Sequence, residues 1–465
     1  MSLGSGVGSP EPAVPIPGPH SETGVPGETW TLLKEKAGFR EFRLDANGLS
    51  VLLLQNRVAP VTTFAVVYHV GSRNEAVGHT GATHLLEHLM FKGTPDFERA
   101  KGTAVAAVLE GVGARFNATT WFDRTNYYET IPSDKLQVAV CIEASRMRQA
   151  FLRDEDRTPE MTVVRNEFER GENSPFQVLY KHTFATAFRE HPYHHPTIGW
   201  RSDIEEVSTE RLREFYDTFY HPNNATAMVI GDFEEAEALE LLARYFRAIP
   251  PSPRPIPRVY TVEPPQEGER RFLVRRAGQV AWCGLSWRTV EARHADTPAL
   301  AVLGNILGGG ITSRLHQALV EKSLALAVTV VPWQLRDPAL FSVFAPVRPG
   351  VELGEVEKVI RQEVARIADA GVTDAECEKA KTQIEAEVIF DRDSTDQIAT
   401  SLSEAIAVAD WEWYVDYPAA IRTVTPEDVR RVVLEYLHDD ALTVGLYVPR
   451  PPEGGATPES AGDDA

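Results

Sequence analysis

His84 and His88 stand four residues apart in Gly81-Ala82-Thr83-His84-Leu85-Leu86-Glu87-His88-Leu89-Met90-Phe91. The run is apolar and free of Gly and Pro after Gly81, so a helix is expected. Residues four apart leave a helix on one face, and two neutral imidazoles converging at that spacing are half of a zinc site. Glu87 falls on the same side, one turn beyond His84. A carboxylate beside a metal there can act as general base on water. A helix that carries two packed or exposed histidines is the competing reading, and a third ligand has to decide between them.

The segment Pro159-Glu160-Met161-Thr162-Val163-Val164-Arg165-Asn166-Glu167 offers one. Glu160 and Glu167 are two helical turns apart and share a face. Two His and one carboxylate leave a fourth zinc position open, the pattern of catalytic sites. On this reading Glu167 completes the ligand set. Glu160 stands behind it, orienting a ligand histidine or sharing a proton with Glu87. Taken alone, two helical glutamates are what any solvated face presents.

The elements that must hold these groups can be read around them. Phe42-Arg43-Leu44 and Ser50 to Leu54 flank Asn47-Gly48, a hairpin signal. Thr63 to Val70 reads as a buried strand leading to Gly71, Arg115 to Trp121 and Thr125 to Ile131 as a strand pair, and Asn223 to Gly231 as a closing strand. Leu136 to Phe151 and Pro159 to about Arg189 are expected to be helical. Residues 1–35, rich in Gly, Pro, Ser and Glu, are expected to be a disordered arm, and the acidic tail 451–465 likewise. Between them stand two α+β domains, 36–248 and 269–450, joined by the Pro-rich linker 249–268. An internal repeat supports the division: Ile204-x-x-Val207-Ser208-Thr209-Glu210-Arg211-Leu212-Arg213 is echoed by Ile421-x-x-Val424-Thr425-Pro426-Glu427-Asp428-Val429-Arg430. In both copies a helix, a turn holding His221 or His438, and an apolar strand follow.

Composition narrows the classes of function. The chain carries 47 Lys+Arg against 67 Asp+Glu, a net charge of −20, which argues against nucleic acid or an anionic membrane as partner and leans toward basic peptides. Its 3 cysteines are scattered and odd in number, so no disulfide framework is expected. No apolar run reaches the length of a membrane span. The first residues lack the layout of a secretory signal, so the cytoplasm is the expected compartment, or the periplasm if a signal was removed.

The order His-x-x-Glu-His inverts the commoner His-Glu-x-x-His motif of zinc peptidases. With the Glu160/Glu167 pair and Asn117-Ala118-Thr119, it resembles the pitrilysin/insulinase family of zinc metallopeptidases. Gly71-Ser72-Arg73-Asn74-Glu75, Phe91-Lys92-Gly93-Thr94, His191-Pro192-Tyr193 and Pro222-Asn223-Asn224-Ala225 resemble its consensus too. The likeness runs from about Phe42 to Val448. It implies two homologous domains, each a mainly antiparallel sheet packed with helices, forming a half-clamshell. It implies that His84, His88 and Glu167 bind Zn2+, with Glu87 as base and Glu160 assisting. Asn117 and Ala118 would lie on an edge strand that pairs with an extended peptide. Without the likeness, Asn117 would be read as turn or capping chemistry. His191, His194 and His195 cluster near Pro192, as a second metal site or as incidental loop histidines.

One departure stands out. In the family the second half contributes an Arg and, seven residues on, a Tyr that steady the oxyanion. The matching positions, after the loop Gly308-Gly309-Gly310, are Val320 and Ala327, and neither can donate a side-chain hydrogen bond. The expected function is therefore a zinc endopeptidase subunit that hydrolyses short or unfolded peptides in a chamber. A related subunit without the zinc motif would supply the Arg/Tyr pair in a heterodimer. An active homodimer and a non-catalytic assembly subunit are the alternatives.

Overall fold

The structure is a computed structural model and describes residues 29–450. Two sheets organise it. The first has seven strands: β1 (Trp30–Lys36), β2 (Phe39–Leu44), β3 (Ser50–Gln55), β4 (Val61–Tyr68), β5 (Arg115–Thr120), β6 (Thr125–Pro132) and β7 (Ala225–Gly231), in the order β1-β2-β3-β7-β4-β6-β5. The second has five: β8 (Arg270–Ala277), β9 (Trp282–Arg288), β10 (Thr329–Pro332), β11 (Leu340–Pro346) and β12 (Leu442–Arg450), in the order β10-β11-β9-β12-β8. Central strands β4 and β7 are apolar without alternation because both their faces are covered, and every residue of β7 is buried.

Read from the other edge, the second sheet repeats the first. The series β3-β7-β4-β6-β5 corresponds to β8-β12-β9-β11-β10. In each, the last strand in sequence stands second in the series, parallel to the first member and antiparallel to the third, while the remaining pairs are antiparallel. This is the architecture of two homologous, mainly antiparallel α+β units. The helix that follows β4, α1 (Ala82–Leu89), corresponds to Thr297–Gly308 after β9, which contains neither His nor carboxylate. The two units share the fold, and the His84, Glu87 and His88 side chains stand on this helix in the first unit alone.

After α1 the first unit continues through α2 (Val105–Gly111), α3 (Leu136–Gln149), α4 (Asp154–Glu172) and α5 (Pro175–Ala187). The units exchange helices. From the first unit, α5 buries Val178 and Leu179 against Phe344 and Tyr447 of the second sheet. From the second, Thr395–Val408 buries Ile398, Leu402 and Ile406 against Ala65, Val67 and Met228 of the first. Arg73, in the turn after β4, pairs with Asp123 and Asp337, and His191 reaches Asp337 at 3.1 Å. The junction is therefore a packed interface with a buried ionic cluster.

Two expectations need correction. The arm expected over residues 1–35 is already a strand from Trp30: the indole Nε1 donates to the Leu239 carbonyl at 3.2 Å, and Lys34 pairs with Glu412. Packing of the half-buried Trp30 against the first core and the β1–β2 ladder order this segment despite its composition. Residues 1–28 and the tail 451–465 lie outside the described residues. The single helix expected from Pro159 to Arg189 is two helices, because Ser174 caps Pro175–Ala187 through the Gln177 N–H, and Pro175 starts a helix more readily than it continues one. No helix or strand lies between Phe246 and Arg270. We propose 36–248, 249–268 and 269–450 as the division of the chain, supported by the two separate sheets, with β1 added to the first unit. Among the described residues no helix is long and apolar enough to cross a membrane, and Cys141, Cys283 and Cys377 are buried and in no disulfide.

Candidate metal centre

Helix α1 is held from its start. Gly81, before its first residue, has φ of +85°, and a Cβ there would lie 2.4 Å from the Ile198 carbonyl oxygen, so only glycine fits. The buried Glu75 carboxylate accepts the N–H groups of Gly81 at 2.8 Å and Thr83 at 2.7 Å, satisfying donors that a helix start leaves open. Leu85, Leu86 and Leu89 are fully buried, each worth about 1.5–3 kcal/mol of burial. With that face fixed, His84 and His88 project together toward a cleft, ring centroids 4.8 Å apart.

Helix α4 crosses them. Three acidic residues in its first turn, Asp154, Glu155 and Asp156, suit the positive end of its dipole. Met161 and Val164 anchor it to the core, which turns Glu160 and Glu167 toward α1. The Oε2 of Glu167 lies 3.6 Å from His84 Nε2 and 3.5 Å from His88 Nε2. Those contacts are too long for good hydrogen bonds, yet the three donor atoms all lie within 4.8 Å of one another. A tetrahedral zinc with bonds of about 2.0–2.1 Å has edges of about 3.3–3.4 Å. Two nitrogens and one carboxylate oxygen at this spacing fit zinc. Among the described residues this is the only such cluster.

The groups behind the ligands differ. His88 Nδ1 lies 2.8 Å from Glu160 Oε1, and Lys92 pairs with the other Glu160 oxygen. His84 Nδ1 is buried without a hydrogen-bond partner among the described residues. Burial, with His88 alongside, lowers His84 to about 3, so its ring is neutral at any ordinary pH. For His88 burial works against the charged ring, but the bond to Glu160 and the charges of Glu167 and Glu87 outweigh it and raise its pKa. Burial pushes the Glu160 carboxyl up, and the hydrogen bonds from His88 and Lys92 overcome this and hold it below its ordinary value. Glu87 is raised, chiefly by burial, against the pull of a Thr120 hydrogen bond and the His88 and Arg124 charges.

Thr120 ends the edge strand β5, and its hydroxyl donates to Glu87 Oε2 at 2.5 Å. Among the described residues the strand pairs only with β6. Trp121 N–H donates to Arg124 C=O at 2.9 Å, so 121/124 is a hydrogen-bonded pair of the hairpin. Alternation along the ladder then turns the backbone groups of Phe116, Ala118 and Thr120 away from β6, onto the free edge. Ala118 presents its backbone there, whereas Asn117 bonds to β6 and has an exposed side chain. His84, Glu87, His88, Asn117, Ala118, Glu160 and Glu167 all line one cleft of about 510 Å³.

The residues singled out from sequence are thus brought together. Thr120, Lys92 and Glu75 were not foreseen in these roles. Lys92 stood one turn beyond His88 and Glu75 within a noted motif, while Thr120 had no local signal. His191 belongs to the unit junction, and His195 lies 3.7 Å from Glu75, so the loop histidines gather no second cluster. Val320 is half-buried and Ala327 exposed, in the second unit.

Residues 50–200 match the family model described as insulinase (peptidase family M16), and residues 206–384 match that of the peptidase M16 inactive domain. The zinc protease PqqE of Helicobacter pylori is 31% identical over 409 residues, covering 87% of this chain and 91% of that protein. A probable mitochondrial-processing peptidase subunit beta of Arabidopsis thaliana is 25% identical over 414 residues, covering 87% of this chain and 77% of that protein. The crystal structure of a protease from Helicobacter pylori superposes with a TM-score of 0.84 at 30% identity, covering 88% of this chain and 99% of that one. A peptidase M16 inactive domain from Pseudomonas fluorescens shares the fold, with a TM-score of 0.78 at 18% identity and coverage of 89% and 98%.

Proposed function

This chain belongs to the insulinase family of peptidases, family M16, and from that premise we propose that it is a zinc endopeptidase subunit acting on short or unfolded peptides. The observation that carries the reading is the meeting of His84, His88 and Glu167 at zinc-like spacing, with the Glu87 carboxylate in the same cleft. Zinc held there would supply a Lewis acid that polarises the scissile carbonyl and acidifies the attacking water.

The chain's own residues do the rest. An extended peptide adds to the free edge of β5, where the Ala118 backbone gives affinity and Asn117 flanks it. Glu87 takes a proton from the attacking water and passes it to the leaving nitrogen, and a raised pKa suits both steps. Thr120 holds one Glu87 oxygen, leaving the other free for proton transfer. Glu160, braced by Lys92, accepts from His88 Nδ1 and so keeps the Nε2 lone pair facing the cleft.

The second unit supports pairing with another subunit. By the family resemblance Val320 and Ala327 stand where an oxyanion-binding Arg and Tyr are expected, and the second family match is to an inactive domain. We infer that a related subunit without the zinc motif supplies that pair and closes the chamber. Full activity of the purified chain alone on unstructured peptides would overturn this and favour a homodimer.

Glu87→Gln tests the chemistry. The variant should keep one zinc per chain by metal analysis and lose about 10²–10⁴-fold in kcat. Chelation should abolish activity, and zinc should restore it. Hydrolysis indifferent to both changes would sink the peptidase reading and leave a non-catalytic assembly subunit.

A further inference from the structure

The end of β5 is held on both of its faces. Neighbouring strand residues send their side chains to opposite faces, so Thr120 aims its hydroxyl at Glu87 while Thr119 and, across the ladder, Asn126 aim the other way. Arg124 lies with Thr119 and Asn126. Its Nη1 donates to the Thr119 carbonyl at 2.7 Å and to the Thr119 hydroxyl at 2.5 Å, and that hydroxyl donates to Asn126 Oδ1 at 2.6 Å.

The rest of the guanidinium belongs to the second unit. Arg124 Nε donates to Glu404 Oε1 at 3.0 Å, and Nη2 pairs with the same carboxylate. Glu404 stands on the helix Thr395–Val408, which packs on the first sheet. Arg124 is buried and Glu404 half-buried. The planar fork of an arginine meets both partners at once, whereas a lysine has a single nitrogen to share. The turn beyond is fixed by other groups. The Trp121 and Phe122 carbonyls accept the Ser72 and Arg73 N–H groups, each at 3.0 Å, and Trp333 stacks on Trp121 at 6.3 Å. Loss of Arg124 should therefore leave the hairpin folded and free only the rung that adjoins Thr120.

We propose that Arg124, anchored on Glu404, is a positioning residue for the reaction: it fixes Thr119, and through it Thr120, so that the Thr120 hydroxyl holds Glu87. The unit without zinc ligands thereby acts on the base, through a pair of side chains 280 residues apart. The inference rests on the peptidase reading and deepens it.

A double-mutant cycle separates positioning from plain stabilisation. Zinc content, melting temperature, kcat and KM on unstructured peptides are measured for the zinc-loaded chain, alone and with its partner subunit. Arg124→Gln should bind zinc as the parent does, keep KM within about threefold and lose about 10–100-fold in kcat. Arg124→Lys should share the loss, since one ammonium cannot serve Thr119 and Glu404 together, and it stands in where the glutamine variant does not fold. Glu404→Gln should lose about 2–5-fold, less because its carboxylate is half in water. In a Thr120→Val background the hydroxyl to be positioned is gone, and each of these changes should cost less than about twofold more. A full loss on top of Thr120→Val, an unchanged kcat in either Arg124 variant, or a rise in KM that accounts for the whole effect would overturn the assignment. Absence of any cutting counts against the peptidase reading alone, and geometry then decides. In a crystal structure of zinc-loaded Arg124→Lys the Thr120 hydroxyl should have left Glu87 Oε2, and a hydroxyl still within about 3.0 Å of it overturns the proposal.

Discussion

The Nδ1 of His88 lies 2.8 Å from the carboxylate of Glu160, and Lys92 occupies the other oxygen. A hydrogen on Nδ1 leaves the Nε2 lone pair directed at the point shared with His84 and Glu167. One ligand is thus oriented by a fixed partner, while His84, with a buried Nδ1 that bonds to nothing among the described residues, is oriented by packing alone.

That asymmetry makes Glu160 the more sensitive support. Glu160→Ala should weaken zinc binding by about 10–100-fold in a competition titration against a chelator, with the fold intact by circular dichroism. Glu160→Gln should fall between, since its amide oxygen still accepts from Nδ1 while the charge is lost. Unchanged affinity in both would show that the carboxylate is a bystander.

The ladder register separates two neighbouring residues on β5. Ala118 turns its N–H to the free edge and Asn117 turns its own to β6. Proline at 118 removes a donor that no strand uses, which edge strands tolerate. Ala118→Pro should keep its melting temperature within a few degrees and lose about tenfold or more in kcat/KM for peptides. Asn117→Pro should instead destabilise the hairpin by about 1–3 kcal/mol. Equal effects from the two would refute strand addition at this edge.

Asp337 links stability to pH through the unit junction. Burial pushes its carboxyl up, but the His191 hydrogen bond and the charges of Arg73, His191 and Arg336 outweigh this and hold it below 3.8, its ordinary value. A depressed folded value means that the contribution is fully present above 3.8 and is lost as pH falls below it through the folded value. Asp337→Asn should therefore cost about 1–3 kcal/mol at pH near 7, with the gap to the parent narrowing below pH 3.8. Thermal unfolding of both proteins across that range measures it. A gap that persists undiminished in acid would assign the loss to packing.

Sequence alone determined what repeats within a few residues. The spacing of His84 and His88, the shared face of Glu160 and Glu167, the two-unit plan and the lack of a disulfide framework all follow from helical period, apolar runs and composition, which act locally. Composition misled at Trp30, where one half-buried indole and a ladder outweighed a disorder-prone neighbourhood, and at Asn173-Ser174, where a cap divided one apparent helix. The crossing of α4 on α1, which no local pattern specifies, sets the Glu167 carboxylate before both imidazoles and Glu160 behind one of them. It also brought Thr120 to Glu87 and Arg73 to Asp337, 33 and 264 residues away. Contacts at such separations depend on packed faces and crossing angles, which no local pattern of residues carries.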